Sequence, residues 1–486
     1  MTRISIDPIT RLEGHGKIEI FLDETGRVAN TYFQVPELRG FEKFIEGMPI
    51  EEVPRVVSRI CGVCPAAHHL AAGKAVDAVY HVEPPPAAKK LRELYYAAHF
   101  VHSHIAHFYA LAAADFVLGP DSPPAQRNIL GVVAKVGVEV GREVIRHRAI
   151  AQDIQIAVGG RSTHPVWTLP GGVSKGITEE QRADIVEKAR SCVEFAKFSL
   201  KLFEDVVLKN QAYLDLILSD TYEIDSYYIG TVDEGNRVNF YHGDHRVVDQ
   251  TGKETFRYKD HEYLDYIAEC VEKYSYLKFP YLKKIGWKGL VDGPASGVYQ
   301  ASPLSRLNAA EGMATPLAQA EYERFFSTLG GKPVKKLLAT HWARLVELLY
   351  AAERLHELAT DPEVASTQIR TLPTATPTEG VGIVEAPRGI LTHHYKTDAR
   401  GLVTEANLIV GTTNTHAPLS MAIKRAAQKL IEPGKEVSQG ILNMVEMAFR
   451  LFDPCFSCAT HYLPGQMPLV VEIRDSSGEL VQRLSR

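Results

Sequence analysis

Cys61-Gly62-Val63-Cys64 and Cys455-Phe456-Ser457-Cys458 are the two stretches of this sequence that decide its fold. They lie near opposite ends of the chain and contain four of its six cysteines. A Cys-x-x-Cys pair can clasp one metal ion from a single turn, because thiolates are soft and strong metal ligands. If both pairs serve one site, the fold must bring the two ends of the chain together.

The composition is that of a large globular protein. The chain has 486 residues, of which 45% are hydrophobic and 23% are charged, and its net charge is −5. This balance predicts a sizeable core and gives no indication of binding to nucleic acid or to a membrane surface. We see no signal peptide and no stretch apolar enough to span a bilayer. Few cysteines without a secretion signal favour a reducing compartment, so we predict a cytoplasmic location.

The spacing of apolar residues predicts long helices together with a few small sheets. A β-hairpin is expected over residues 17–33, and short strands are expected within residues 220–260, 379–410 and 462–486. Apolar residues at three- and four-residue spacing predict helices over 89–118, 128–157, 179–218, 335–360, 417–431 and 438–452. The predicted fold class is α+β and predominantly helical, with a long-helix bundle core and small peripheral antiparallel β segments.

No internal repeat or low-complexity linker divides the chain. We therefore predict a single intertwined body over residues 1–461, followed by a C-terminal extension over 462–486. Within the body we distinguish an N-terminal hairpin region, a helical core and a small β-rich insertion, over residues 1–50, 51–219 with 330–461, and 220–260. The two remaining cysteines, Cys192 and Cys270, lie in predicted helical stretches without partners and are expected to be buried, inert thiols.

Spacing alone leaves several interpretations of the two cysteine pairs open. A structural zinc site is the default for four paired cysteines. Compact zinc ribbons, however, place their pairs about 15–20 residues apart, and a closed site has no need of the polar residues Arg59, His68, Asp453 and His461 near the pairs. A thioredoxin-like redox site would use one pair and leave the other unexplained.

Six motifs follow one another along the chain: Arg11-Leu12-Glu13-Gly14-His15-Gly16, Arg39-Gly40-Phe41-Glu42, Arg59-Ile60-Cys61-Gly62-Val63-Cys64-Pro65, His104-x-x-His107-Phe108-Tyr109-x-Leu111-x-x-x-Asp115, Glu385-Ala386-Pro387-Arg388-Gly389 and Asp453-Pro454-Cys455-x-x-Cys458-x-x-His461. Taken in order, they closely resemble the large (catalytic) subunit of nickel–iron hydrogenases. The resemblance extends over essentially the whole chain.

The resemblance implies a nickel–iron centre at which molecular hydrogen is split heterolytically. Cys61 and Cys455 are then terminal thiolates on nickel. Cys64 and Cys458 bridge nickel to an iron that carries carbon monoxide and cyanide. Four thiolates suit a soft, redox-active metal, which agrees with this assignment.

Glu13 is the candidate for the first proton relay after the Cys455 sulfur. A carboxylate in a largely apolar surrounding can exchange protons near neutral pH. The alternative is a solvated glutamate before a hairpin, which is how most glutamates occur. Its place in the Arg-Leu-Glu-Gly-His motif favours the functional interpretation.

Further site residues follow from the same resemblance. Arg388 is expected to donate to a cyanide nitrogen or to lie over the open metal position, with Asp115 and Asp453 pairing with it. A simple turn residue is the alternative for Asp453. Thr412 matches a hydroxyl that binds the other cyanide, although the family often has proline where Gly411 stands. His68 matches a donor to the bridging sulfur, and a satisfied helix histidine is its alternative.

Glu42 and His461 match positions that bind a separate magnesium (or iron) ion, for which oxygen and imidazole ligands are suitable. The family is commonly made as a precursor that a maturation endopeptidase cuts after the last histidine. In this chain that bond is His461–Tyr462, so we predict that residues 462–486 are removed. A permanent C-terminal hairpin is the alternative.

Electrons must leave through another protein, because the sequence has no iron–sulfur pattern beyond the four cysteines already assigned. The resemblance implies an obligate iron–sulfur small subunit. Within the family, the segment 34–42 is most similar to the cytoplasmic branch, of the methyl-viologen-reducing (F420-non-reducing) type. Further subunits, linked to heterodisulfide reductase or to nicotinamide, are then expected. The alternatives to the enzyme are a hydrogen sensor and a zinc-binding structural subunit.

Overall fold

The computed structural model of the protein describes residues 2–459, 470–474 and 480–485. Roughly half of the described residues are helical, and the remaining elements form small sheets. The helices are α1 (Phe41–Phe44), α2 (Val53–Val57), α3 (Pro65–Val79), α4 (Pro86–Ala106), α5 (Ala113–Val117), α6 (Ile129–Val136), α7 (Val138–Gly159), α8 (Glu179–Phe203), α9 (Gln211–Leu218), α10 (Tyr263–Tyr266), α11 (Pro303–Ala309), α12 (Pro316–Thr328), α13 (Thr340–Thr360), α14 (Gly411–Asn414), α15 (His416–Leu430), α16 (Gln439–Arg450) and α17 (Phe456–Ala459).

The strands are mostly short and pair with neighbours that are close in sequence. They are β1 (Thr2–Ile6), β2 (Lys17–Leu22), β3 (Val28–Gln34), β4 (Thr168–Leu169), β5 (Gly172–Val173), β6 (Tyr227–Val232), β7 (Arg237–Val238), β8 (Asp244–Val248), β9 (Glu254–Tyr258), β10 (Ile267–Cys270), β11 (Phe279–Leu282), β12 (Tyr299–Gln300), β13 (Gly312–Met313), β14 (Glu379–Ala386), β15 (Gly389–Thr397), β16 (Val403–Ile409), β17 (Val470–Arg474) and β18 (Leu480–Ser485).

The predicted N-terminal hairpin is confirmed as β2 and β3, and β1 pairs with the outer edge of β2. The turn between β2 and β3 follows from local chemistry. The carboxylate of Asp23 accepts from the backbone N–H groups of Thr25 and Arg27. Gly26 adopts a φ of 80°, which a residue with a side chain rarely adopts. The sheet leads the chain through α1 and α2 to the first cysteine pair.

The predicted helical stretches are confirmed, with breaks that the spacing did not indicate. The stretch 89–118 forms α4 and α5, joined by a π-helical turn over His107–Ala112. The stretch 179–218 forms α8 and α9 around a second π-helical turn over Glu204–Leu208. Gly137, with a φ of 101°, separates α6 from α7. Helix α13 packs on α8 and α4, while α7 packs on α4 and α8.

The predicted sheet within 220–260 is larger than expected. Its strand order is β13-β7-β6-β8-β9, and β12 adds to β6 in parallel. The spacing missed β6 because all six of its residues are buried, which removes the alternation that indicates a strand. The expectation of a helix around Cys270 was wrong, since this residue ends β10 and is only partly buried. Cys192 is buried in α8.

Helix α3 lies on the sheet β14-β15-β16 in direct backbone contact. A Cβ atom placed on Gly382 would lie 2.3 Å from the carbonyl oxygen of Ala71, and one on Gly380 would lie 2.4 Å from that of Ala75. These two glycines therefore allow the helix to approach β14 closely. Because α3 begins immediately after Cys64, this contact sets the position of the first cysteine pair.

At the C-terminus, β17 and β18 form the predicted antiparallel hairpin. The bond His461–Tyr462 lies outside the described residues. None of the helices in the described ranges combines the length and the apolar character that crossing a bilayer requires.

Candidate metal centre

The fold brings the two cysteine pairs together. The Sγ atoms of Cys61 and Cys455 are 3.3 Å apart, and those of Cys64 and Cys458 are 3.1 Å apart. All four sulfur atoms lie within 4.8 Å of one another, and all four cysteines are buried. In residues 2–459, this is the one group of three or more potential ligand side chains clustered so closely.

The first pair is held by a tight turn before α3. The backbone N–H groups of Val63 and Cys64 both donate to the Cys61 sulfur over 3.1 Å. Pro65 then begins α3, a position at which proline is favoured because its missing N–H has no intrahelical partner. The turn therefore aims both thiols at the same point.

The second pair is anchored on the N-terminal segment. Phe456 donates its backbone N–H to the carbonyl of Glu13 over 3.0 Å, and Glu13 forms a parallel bridge with Cys455. Gly14 has a φ of 86°, and a Cβ there would lie 2.9 Å from the Cβ of Phe456. Only glycine combines this conformation with such a close approach. The Arg-Leu-Glu-Gly motif thus supports the second cysteine pair.

The Glu13 side chain contacts the sulfur cluster at Cys455. Its Oε2 atom lies 3.0 Å from the Cys455 sulfur and accepts from the Ser457 N–H over 3.1 Å. Glu13 itself is partly exposed, not fully buried. A carboxylate in this position can exchange a proton with the sulfur on one side and with the surroundings on the other.

Arg388 lies in the turn that connects β14 to β15. Its guanidinium lies 3.1 Å from the Asp453 carboxylate and donates to the Ser103 hydroxyl over 3.2 Å. Burial opposes the charge of Arg388, but Asp453 and the nearby thiols raise its pKa overall. Burial raises the pKa of Asp453 to about 6, against the pull of Arg388. Near neutral pH the two groups form a buried ion pair.

Asp115 does not join this ion pair, contrary to the sequence-based expectation. It pairs with Arg11 and Arg450, and Asn443 donates to it over 3.2 Å. Burial opposes the ionised form, but Arg450 and Arg11 lower the pKa of Asp115 overall. Asp115 therefore ties α5 to the N-terminal segment and to α16.

A small cavity lies beside the sulfurs. Thr412 borders it from the start of α14, where its hydroxyl accepts the N–H of Cys455 over 2.9 Å. The Nε2 atom of His68 and the Nε atom of Arg388 are buried and have no hydrogen-bond partner among the described residues. The lining consists of polar groups and small apolar groups: Cys64, Ala67, His68, Ala386, Arg388, Leu391, Val410, Gly411, Thr412, Cys455 and Cys458.

Glu42 lies on α1, is buried, and bonds to strand β16. It accepts the backbone N–H of Leu408 over 3.2 Å and lies 3.8 Å from the Lys278 ammonium. Its expected partner His461 lies outside the described residues.

Arg39 is a site residue to which sequence reasoning assigned no role. Its Nη1 atom donates to the carbonyl of Ile60 over 2.5 Å and to that of Ser457 over 3.1 Å. These carbonyls adjoin the two cysteine pairs, so one guanidinium clamps both. The arginine was visible in its motif, but its partner near residue 457 depends on the fold.

The donor set fits a bound metal centre. Burial raises the pKa of the Cys455 and Cys458 thiols, so four buried thiolates require a cation to balance their charge. A closed zinc site would need only the four sulfurs. The adjacent cavity, with the unpartnered nitrogens of His68 and Arg388, instead fits further ligands beside the sulfurs.

Comparison with known proteins agrees with this geometry. The nickel-dependent hydrogenase family matches residues 39–120 and 191–461, and a HoxL-like family matches residues 3–38. The iron-sulfur subunit of an F420-non-reducing hydrogenase from Archaeoglobus profundus is 51% identical over 100% of this chain and 99% of its own length. A subunit of the F420-non-reducing hydrogenase from Methanothermobacter thermautotrophicus is 42% identical over the full length of both chains.

Solved structures share the fold. A chain of an NAD+-reducing NiFe-hydrogenase in the H2-reduced state superposes with a TM-score of 0.89 at 35% identity, covering 95% of this chain and 100% of that chain. A chain of the Ni-Fe-Se hydrogenase from D. vulgaris Hildenborough, at 24% identity and with the same coverage, gives a TM-score of 0.75. The second likeness concerns the fold alone.

Proposed function

The chain belongs to the nickel-dependent hydrogenase family, and we propose that its four clustered cysteines bind its catalytic metal centre. It is the large, catalytic subunit of a nickel–iron hydrogenase, an oxidoreductase that cleaves molecular hydrogen. The observation that carries the residue assignment is the group of four buried sulfurs within 4.8 Å, next to a cavity lined by Arg388 and Thr412.

In this proposal Cys61 and Cys455 would bind nickel, and Cys64 and Cys458 would bind both nickel and iron as bridging ligands. Cys64, Cys455 and Cys458 line the cavity, whereas Cys61 does not. Both proposed bridging sulfurs therefore face the cavity, which favours placing iron on that side. The cavity would hold the carbon monoxide and cyanide ligands of that iron. Arg388 and Thr412 would donate hydrogen bonds to the cyanides. When bound, the metal pair supplies the two-electron redox chemistry that splits hydrogen.

The protein's own residues manage the proton that heterolytic cleavage releases. Cys455 and Glu13 are within hydrogen-bond distance, so Glu13 takes the proton from the sulfur and passes it outward. Asp453 holds Arg388 over the cavity through their ion pair. Glu13 therefore acts as the base and relay, while Arg388 and Asp453 maintain the polar wall of the site.

A second ion and a processing step complete the proposed mature subunit. Glu42 and His461 would bind magnesium or iron. We propose that an endopeptidase cuts after His461, which is also the residue at which the family match ends. Residues 1–461 would then form one body, with α4, α7, α8 and α13 as its long-helix bundle and 462–486 removed.

The relatives are named as subunits of larger enzymes, and we propose the same for this chain. Apart from the four clustered cysteines, the sequence has only Cys192 and Cys270, too few for an iron–sulfur cluster of its own. Electrons would pass to an iron–sulfur small subunit in the cytoplasm. Subunits linked to heterodisulfide reductase or to nicotinamide would receive them next.

Metal analysis of the protein purified from its native host, with the mass of its C-terminus, tests the proposal. We expect about one nickel and about one iron per chain, or about two irons if iron also fills the second site, and a chain ending at His461. Cys455→Ser should lose the nickel, whereas Cys192→Ser, at an isolated buried thiol, should keep it. A single zinc with residues 462–486 still attached would contradict the proposal.

A further inference from the structure

A chain of buried hydrogen bonds begins beside the sulfur cluster and runs along β15. The Nδ1 atom of His68 lies 3.1 Å from the Nε2 atom of His393. The Nδ1 atom of His393 lies 2.5 Å from the hydroxyl of Tyr395. All three side chains are fully buried. At the other end of this series of bonds, His68 lines the same cavity as Cys64 and Cys458, and its Nε2 atom is buried without a hydrogen-bond partner among the described residues.

The packing of α3 on the sheet explains why these residues meet. Gly382 pairs with His393 across β14 and β15, and Gly380 pairs with Tyr395. Directly paired residues project from the same face of a sheet. The glycines leave that face open to α3, so His68, near the start of the helix, reaches the His393 ring.

The chain of bonds has two possible directions, because a neutral imidazole donates through one nitrogen and accepts through the other. His68 is fully buried and its Nδ1 atom bonds to another imidazole instead of a carboxylate, and a buried ring without an anionic partner stays neutral. Burial and the charge of Glu42 raise the pKa of Tyr395, so its hydroxyl keeps its proton. If Tyr395 donates to His393, then His393 donates to His68, and the His68 proton lies on Nε2. The opposite direction would turn a lone pair of Nε2 toward the cysteines.

We infer that Tyr395 and His393 are positioning residues that fix the His68 proton on Nε2, so that His68 offers an N–H to the cavity-lining sulfurs of Cys64 and Cys458 once a metal holds them as thiolates. This inference rests on the proposed function, because those sulfurs accept strongly only as metal-bound thiolates. Donation to a thiolate ligand withdraws electron density from the metal and raises its reduction potential. Tyr395 thus tunes the metal centre without touching it.

The test compares two variants in the purified holoenzyme with its partner subunits. Tyr395→Phe keeps the volume but removes the hydroxyl. We expect unchanged nickel content, a lower reduction potential of the nickel centre in an electron paramagnetic resonance titration, and hydrogen oxidation slower by roughly tenfold. His393→Gln changes the shape, but its amide can still accept from Tyr395 and donate to His68. It should therefore stay close to the wild-type potential. A role in packing alone predicts the reverse order.

Tyr263→Phe is the matched control. Tyr263 lies 2.8 Å from the Nδ1 atom of His394, the next residue of β15, and His394 turns to Glu379 instead of the cysteines. Its loss should leave the potential unchanged. If Tyr395→Phe and Tyr263→Phe give the same potential as the wild type, the inference is overturned. Absence of nickel from the wild-type protein would instead refute the proposed function.

If Tyr395→Phe does not accumulate as a folded protein, a fourth variant, His393→Leu, replaces it. The potential of His393→Leu is then compared with that of His393→Gln. A potential lowered only in the leucine variant supports the inference. Equal potentials in the two variants overturn it.

Discussion

Glu13 illustrates how one carboxylate can serve both structure and chemistry. Its backbone pairs with the second cysteine stretch, while its side chain contacts the Cys455 sulfur and the Ser457 N–H. Removing the carboxylate would therefore mix a structural effect with a chemical one. An amide separates them, because it still accepts from Ser457 but cannot take up a proton at neutral pH.

For Glu13→Gln we expect hydrogen oxidation to fall by roughly 100-fold or more, with nickel content unchanged. The measurement is dye reduction under hydrogen, alongside metal analysis. Glu37→Gln is the control, since Glu37 pairs with exposed His15 and does not contact the cysteines. Activity within about threefold of the wild type would remove Glu13 from the proton path.

Substitution of Asp115 is expected to affect the stability of the fold. It is buried between Arg11 and Arg450, so Asp115→Asn would leave two arginines without their shared counter-charge. We expect a loss of about 3–5 kcal/mol in the free energy of unfolding, measured in denaturant. Asp153→Asn, at an exposed ion pair, should cost about 0–1 kcal/mol.

The same ion pair predicts a pH dependence. Because Arg450 and Arg11 lower the pKa of Asp115 despite its burial, its contribution is complete above the ordinary aspartate pKa and is lost as the pH falls below it. The wild type should therefore lose stability in acid more steeply than Asp115→Asn. Parallel pH profiles for the two proteins would contradict this account.

At the scale of elements, the contact between α3 and β14 matters most for the site. Any shift of α3 moves Cys64, the residue that precedes it. Among the described glycines, Gly380 and Gly382 are the ones that hold this helix against β14, as the positions of their added Cβ atoms show. The sequence showed two glycines in a predicted strand, but the helix they face was not predictable from spacing.

For Gly382→Ala we expect a loss of about 1–3 kcal/mol in unfolding free energy from overpacking, together with reduced nickel loading. The measurements are the denaturant midpoint and metal per chain. Gly176→Ala is the control, because a Cβ there meets its neighbours only at 3.6 Å or more. Normal nickel loading in Gly382→Ala would show that α3 does not position Cys64.

Helices and strands whose apolar residues recur at a regular spacing were predictable from the sequence, and those without such a spacing were not. Helices α15 and α16 begin within one residue of the predicted starts and α13 begins five residues later, and all three end within two residues of the predicted ends. Strand β6 was missed because it is buried on both faces. Strand β10 has only four residues. So short a segment does not distinguish the helical period of apolar residues from the strand period, and the sequence therefore predicted a helix there.

At the scale of the whole molecule, the site is assembled from distant parts of the chain. The sequence motifs alone indicate its cysteines, Glu13 and Arg388. They did not indicate that Arg39 clamps both pairs or that Asp115 stands apart from Arg388, because such contacts join residues that are far apart in the sequence. Motifs therefore identified the residue types, and only the fold supplied their partners.

This assembly predicts how metal binding affects the molecule. Without metal, the second cysteine pair is held mainly by Arg39, Thr412 and Glu13. Metal–thiolate bonds join it to α3 as well, and binding only to the folded state stabilises that state. Hydrogen exchange, followed by mass spectrometry, should therefore slow on metal loading in segments 59–64 and 453–459. Helix α8, which packs on α7 and α13, should exchange alike in both forms. Cys455→Ser should abolish the slowing and Cys192→Ser should retain it, whereas equal slowing in α8 would mean that the metal stabilises the fold globally instead of joining its two ends.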